Sequence, residues 1–160
     1  MPLHLYAIGL GSNRRHGRYG GPAAILRAAV VALEGGDIRV VALSPVIATA
    51  PLGPAGRSFA NAAAILETEL DPPSLLARLK AVEASFGRRR GRRWGPRVLD
   101  LDILLWSGGG YRRGPGLVIP HRGLTQRDFV LRPLAAIAPG WRVGSGILTV
   151  RHARSRLIRG

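Results

Sequence analysis

The segment Val98–Trp106 (VLDLDILLW) constrains the fold more than any other, because it sets Asp100 and Asp102 two residues apart inside an apolar run. On a β-strand, residues i and i+2 share one face and lie about 7 Å apart at Cα. Two uncompensated carboxylates in a core are costly. Their face therefore meets solvent, arginines or metal, while the flanking Leu99, Leu101, Ile103 and Leu104 point to burial on the other side.

Immediately upstream the charge has the opposite sign. Arg88, Arg89, Arg90, Arg92, Arg93 and Arg97 crowd ten positions, with Trp94-Gly95-Pro96 set among them as a stiff, bulky insert. Arginine grips phosphate oxygens through a planar fork of donors, and paired carboxylates hold hard divalent cations. The combination points to a polyphosphate held with its metal, the arrangement by which phosphoryl-transfer sites stabilise charge. A solvated basic loop is the commoner fate of a charge run, but such a loop has little use for a tryptophan.

The order of elements around this segment predicts the architecture. Leu3–Leu10 reads as a strand running into a Gly9–Asn13 loop, and Ala23–Glu34 as a helix started by Pro22 and stopped by Gly35-Gly36. Ile38–Ala48 is β-rich with a bend at Ser44-Pro45, and Phe59–Leu70 is a further strand. Asp71-Pro72-Pro73-Ser74 opens an amphipathic helix over Leu75–Phe86. A strand over Val98–Trp106, a short strand over Gly116–Ile119 and a helix over Phe129–Ile137 follow, and the tail from Gly140 reads as a final hairpin. The result is α+β, a ferredoxin-like βαββαβ core with an antiparallel sheet, two main helices on one face and C-terminal additions. The 160 residues are expected to form one domain.

Twenty-four basic against nine acidic residues give a net charge of +15, which raises nucleic acid as a partner. A single lysine, Lys80, among abundant Ala, Gly, Pro and Arg attributes most of that total to arginine-biased composition. The ferredoxin-like layout also hosts RNA-binding modules that stack bases on sheet aromatics, but the central strands carry no such aromatic block. Aspartates beside the basic loop would repel nucleic-acid phosphate unless metal intervened. No nucleic-acid partner is expected. No run approaches a membrane span, the first residues do not resemble a signal peptide, and there is no cysteine. A cytoplasmic monomer is the expectation.

Three further features bear on chemistry. His121 follows Pro120 and precedes Arg122 and Arg127; a histidine there contacts phosphate or donates a proton, although a lone histidine is more often structural. The Gly9–Asn13 stretch is weak as a phosphate loop, lacking a Walker lysine and the dinucleotide spacing. Asn61, among small residues, either reads the edge of a heterocycle or satisfies backbone.

Several motifs occur together in order: GLGSN at Gly9–Asn13, APLGP at Ala50–Pro54, FANAA at Phe59–Ala63, RWGPRVLDLDILL at Arg93–Leu105, IPH at Ile119–His121 and RDFVLRPL at Arg127–Leu134. The set closely resembles the 6-hydroxymethyl-7,8-dihydropterin pyrophosphokinases, folate-pathway enzymes with a ferredoxin-like fold, from about Leu3 to Pro139. The resemblance implies transfer of pyrophosphate from ATP to a reduced pterin with release of AMP, assisted by two magnesium ions on Asp100 and Asp102. It implies nucleotide contacts from Glu83, Arg88, Arg90, Trp94, Arg97, His121 and Arg127. It implies a pterin pocket from Thr49, Ala50, Leu52, Phe59, Asn61, Asp100 and Phe129, the two phenylalanines sandwiching the ring, with Trp94 sealing the site. Phe59 stands where many members have tyrosine, Ala50 replaces a proline, and Gly116 stands where some members carry a basic nucleotide contact.

Overall fold

The structure, a computed structural model, describes residues 2–13, 19–49, 59–87, 98–144 and 146–160. Among them the chain forms β1 (His4–Ser12), α1 (Pro22–Leu33), β2 (Ile38–Leu43), β3 (Ile47–Thr49), β4 (Phe59–Thr68), α2 (Pro72–Ser85), β5 (Asp100–Trp106), β6 (Tyr111–Arg113), β7 (Leu117–Ile119), α3 (Asp128–Ile137) and α4 (Val150–Arg159). The main sheet has the order β2-β4-β1-β5 with every neighbour antiparallel, and β3 continues the β2 edge of β4. This is the α+β, ferredoxin-like core expected from the sequence. The expected break at Ser44-Pro45 separates β2 from β3. Buried Ser44 bridges it, its N–H donating to the Ala63 carbonyl and its Oγ accepting the Ala63 N–H, both at 2.8 Å.

Local chemistry explains the helix ends. Pro22 occupies the first turn of α1, and Gly35 and Gly36 follow it with φ of +117° and +57°, values a side chain disfavours. Asp71 caps α2 by accepting the Ser74 N–H at 2.9 Å, with prolines in the first turn where no N–H is needed.

Alternation along the strands feeds two cores. Tyr6, Ile8 and Leu10 of β1, Ala60, Ala62, Ala64 and Leu66 of β4, and Leu101 and Ile103 of β5 pack against Ile25, Leu26, Ala29 and Leu33 of α1 and Leu75, Leu79 and Val82 of α2. On the opposite face Ala7, Ala63, Ile65, Leu104 and Leu105 pack against Leu131 and Leu134 of α3 and Val150 and Ala153 of α4. The run of alanines in β4 lets both helical layers approach the sheet closely.

The tail corrects the sequence expectation of a hairpin. Arg142 and Thr149 form one isolated bridge, and then the chain is helical. Thr149 caps that helix by accepting the His152 N–H at 3.3 Å, and Val150 and Ala153 supply its buried stripe. Five arginine or histidine side chains in ten residues mask that short stripe in the sequence.

Candidate active site

Register builds the site. In antiparallel pairing, residues directly opposite share a face. Asp102 of β5 lies opposite Gly9 of β1, which lies opposite Ala63 of β4; Asp100 lies opposite Gly11, which lies opposite Asn61. Two rows therefore cross the sheet with a carboxylate at one end and no side chain in the middle. A Cβ on Gly11 would stand 3.2 Å from Asn61 Oδ1, and one on Gly9 would stand 3.4 Å from Leu104 Cδ1. The sequence reading of Gly9–Asn13 as a loop leaving the strand is corrected here: β1 continues to Ser12, and the glycines form a main-chain floor.

Above that floor is a cleft of about 420 Å³, a volume suited to a small planar ligand. Its walls bring together Phe59, Asn61, Asp100, Asp102, His121, Arg127 and Phe129. Phe59 and Phe129 are 46% and 48% exposed, so neither ring completes a core and both offer a face to the cleft. The Thr49 backbone pairs with Phe59 at the β3 edge beside this wall.

His121 is set by two backbone bonds. β5 has a bulge opposite Ala7/Ile8, with Leu104 as the extra residue, and the Leu104 carbonyl accepts the His121 N–H at 3.0 Å. The ring Nδ1 accepts the Gly123 N–H at 3.1 Å. A neutral His121 therefore carries its proton on Nε2, and that nitrogen lies 4.0 Å from Asp102 Oδ1. Sequence reasoning saw a lone histidine; only the fold reveals what fixes its tautomer. Arg127 occupies the N-cap position of α3 without a side-chain capping bond, and its guanidinium lies 6.0 Å from the Phe129 ring centroid, at the outer limit of cation–π contact. The next residue, Asp128, bonds Arg154 Nε at 3.0 Å and so ties this end of α3 to α4.

A second depression of about 240 Å³ adjoins the cleft and shares Asp102 and His121 with it. Its other walls include Lys80 of α2, Leu101 and Ile103 of β5, and Gly116, Val118 and Arg122. Glu83 lines neither space. It is 5% exposed, and its Oε2 accepts the Leu101 N–H at 2.8 Å. Arg88, Arg90, Trp94 and Arg97 of the basic segment, and Ala50 and Leu52 of the proline-rich segment, lie outside the described residues.

Among the described residues no three His, Asp, Glu or Cys side chains converge as a metal cage. The donor set still suits magnesium, which keeps several waters and binds through one or two carboxylates plus substrate phosphates. No helix of the described residues is long and apolar enough to cross a membrane.

Fold and cleft together define a ferredoxin-like α+β protein with an enzyme-type active-site cleft at one end of its sheet. Comparison with known proteins narrows this. The family model described as 7,8-dihydro-6-hydroxymethylpterin-pyrophosphokinase matches residues 7–139. The 2-amino-4-hydroxy-6-hydroxymethyldihydropteridine pyrophosphokinase of Methylorubrum extorquens is 45% identical over 152 residues, covering 94% of this chain and 91% of that protein. The protein of the same description from Pseudomonas aeruginosa is 44% identical over 141 residues, covering 87% and 83%. In fold, the chain matches the crystal structure of the Plasmodium falciparum HPPK-DHPS protein with a TM-score of 0.73 at 12% identity, covering 99% of this chain and 44% of that one. The chain belongs to the 7,8-dihydro-6-hydroxymethylpterin-pyrophosphokinase family.

Proposed function

We propose that the cleft joins the terminal pyrophosphoryl group of ATP to the hydroxymethyl oxygen of 6-hydroxymethyl-7,8-dihydropterin, a step of folate biosynthesis. The reading is carried by one observation: Asn61 and the half-exposed Phe59 on β4 stand across a glycine floor from Asp100 and Asp102 on β5, and half-exposed Phe129 lines the same cleft. The pterin lies between Phe59 and Phe129, offset-stacked on both. The Asn61 amide, donor and acceptor at once, reads the ring edge. ATP occupies the adjoining groove, with its polyphosphate passing Asp102 and His121 where the two spaces meet.

In this reading Asp100 and Asp102 would hold two magnesium ions, which when bound would supply neutralisation of phosphate charge and polarisation of the β-phosphorus. His121 donates from Nε2 to a phosphate oxygen. Arg127, with Arg88, Arg90 and Arg97, supplies guanidinium groups to the same chain of phosphates, and Trp94 excludes water from the site. The hydroxymethyl oxygen attacks the β-phosphorus in line, the bond from that phosphorus to the α–β bridging oxygen breaks, AMP leaves, and the hydroxyl proton is released. Positioning and charge neutralisation supply the acceleration.

The test is a coupled assay of AMP formation from ATP and magnesium, with and without the hydroxymethyl pterin. Pterin-dependent AMP with no ADP is the expected result. ADP as product, or AMP release indifferent to the pterin, overturns the assignment.

A further inference from the structure

The sheet ends at β5, which pairs with β1 on one side and is contacted by α2 and β7. Leu101 sits between the two site aspartates, is 1% exposed, and donates its N–H to Glu83 Oε2 at 2.8 Å. The second carboxylate oxygen, Oε1, lies 3.4 Å from Lys80 Nζ, and Lys80 is a wall of the groove beside the cleft. A carboxylate at 5% exposure is costly to keep in an apolar layer and is retained only with partners that repay its desolvation. Its partners include the backbone of the strand that carries Asp100 and Asp102 and a cation facing the groove. The side chain itself is turned away from both spaces.

We propose that Glu83 is a positioning residue that fixes the pitch of β5 at Leu101, and through it the direction of Asp100 and Asp102. It acts through these neighbours and touches neither nucleotide nor pterin. The inference rests on the reading of Asp100 and Asp102 as the metal-holding pair. Removing the acceptor frees the strand edge, so the aspartates lose their common aim without losing their chemistry.

Two variants separate this role from a direct nucleotide contact. Glu83→Gln keeps an oxygen for the Leu101 N–H, and Glu83→Ala removes it. Amide hydrogen exchange at Leu101, followed by NMR, is expected to be about tenfold faster or more in Glu83→Ala and close to wild type in Glu83→Gln. Steady-state kinetics are expected to show kcat reduced roughly tenfold or more in Glu83→Ala, with pterin KM within about twofold, and restored to within roughly threefold by Glu83→Gln. The magnesium concentration for half-maximal rate rises in the alanine variant alone. Equal increases in ATP KM in both variants, with kcat and Leu101 exchange unchanged, would overturn the proposal. If Glu83→Ala does not fold by circular dichroism, Glu83→Gln decides: lost Leu101 protection, or a large rise in ATP KM, rejects the positioning role. Should Asp100→Asn and Asp102→Asn prove fully active, the metal reading fails, and the exchange result still reports on the strand edge by itself.

Discussion

The two faces of the β4-β1-β5 sheet are made from alternate residues of the same strands, yet among the described residues the cleft walled by Asn61 and Asp100 opens on one of them. Against α1 and α2 the strands present Tyr6, Ile8, Leu10, Ala62, Leu66, Leu101 and Ile103 along their whole length. Against α3 and α4 they present Ile65, Ala7 and Leu105 in one row, Ala63, Gly9 and Asp102 in the next, and Asn61, Gly11 and Asp100 in the last. The polar end begins where the helical cover stops. A site is thus formed by substituting every second residue over a few positions, and the neighbouring residues continue to build the first core undisturbed. Along β5, Leu101 and Ile103 serve the first core while Asp100 and Asp102 face the cleft.

Exchanging the character of two adjacent residues should break this contrast most sharply. Leu101→Asp places a carboxylate in the α2-facing core and is expected to cost about 4 kcal/mol or more in urea denaturation. Asp102→Leu is expected to leave the unfolding midpoint unchanged or higher while turnover falls roughly 10³-fold, about 4 kcal/mol of transition-state stabilisation. Near-full activity in Asp102→Leu with magnesium present would remove the carboxylates from the mechanism.

A smaller effect sharpens the role of the floor. In Gly11→Ala the new Cβ presses on Asn61 Oδ1, so pterin KM is expected to rise roughly tenfold with ATP KM unchanged. In an Asn61→Ala background the same substitution should add little, because the two act through one contact. Additive losses would mean that the glycine matters for some other reason.

The smallest expected effect belongs to the intact face. Tyr6 donates its hydroxyl to the Leu70 carbonyl at 2.7 Å. Burial pushes its phenol well above the usual tyrosine range, with the charges of Asp71 and Tyr111 adding to the rise. The folded state therefore holds the proton more tightly than the unfolded chain. The resulting stabilisation is fully present below about pH 10 and is lost as pH climbs past that value. Tyr6→Phe is expected to cost about 1 kcal/mol at neutral pH, and the gap to wild type should narrow above about pH 10 in the same urea assay. A gap independent of pH would contradict the assignment.

What the sequence made legible follows the range of each signal. Asp71-Pro72-Pro73-Ser74, the Ser44-Pro45 break and the Asp100/Asp102 alternation are local patterns with local causes, and each marks the feature the structure contains. Gly9 and Gly11 were illegible because glycine ordinarily marks a turn or weakens a strand; their use depends on partners at Asn61 and Asp100, far away in sequence. Glu83 sits beside the apolar stripe of α2, and its inward turn depends on a strand N–H 18 residues further along. The bulge that gives His121 its anchor at Leu104 is a mismatch between two strands and is written in neither alone. The C-terminal helix was hidden by arginine content.

The glycine floor also bears on how the protein could be inhibited. A compound resting on the main chain of Gly9 and Gly11 meets a surface with few routes to drug resistance, since a Cβ on Gly11 would crowd Asn61 Oδ1 at 3.2 Å and side chains there would fill the floor the ligand rests on. Escape at those positions would damage the natural ligand's seat along with the drug's, whereas a compound leaning on the exposed rings of Phe59 and Phe129 would leave the organism free to exchange them.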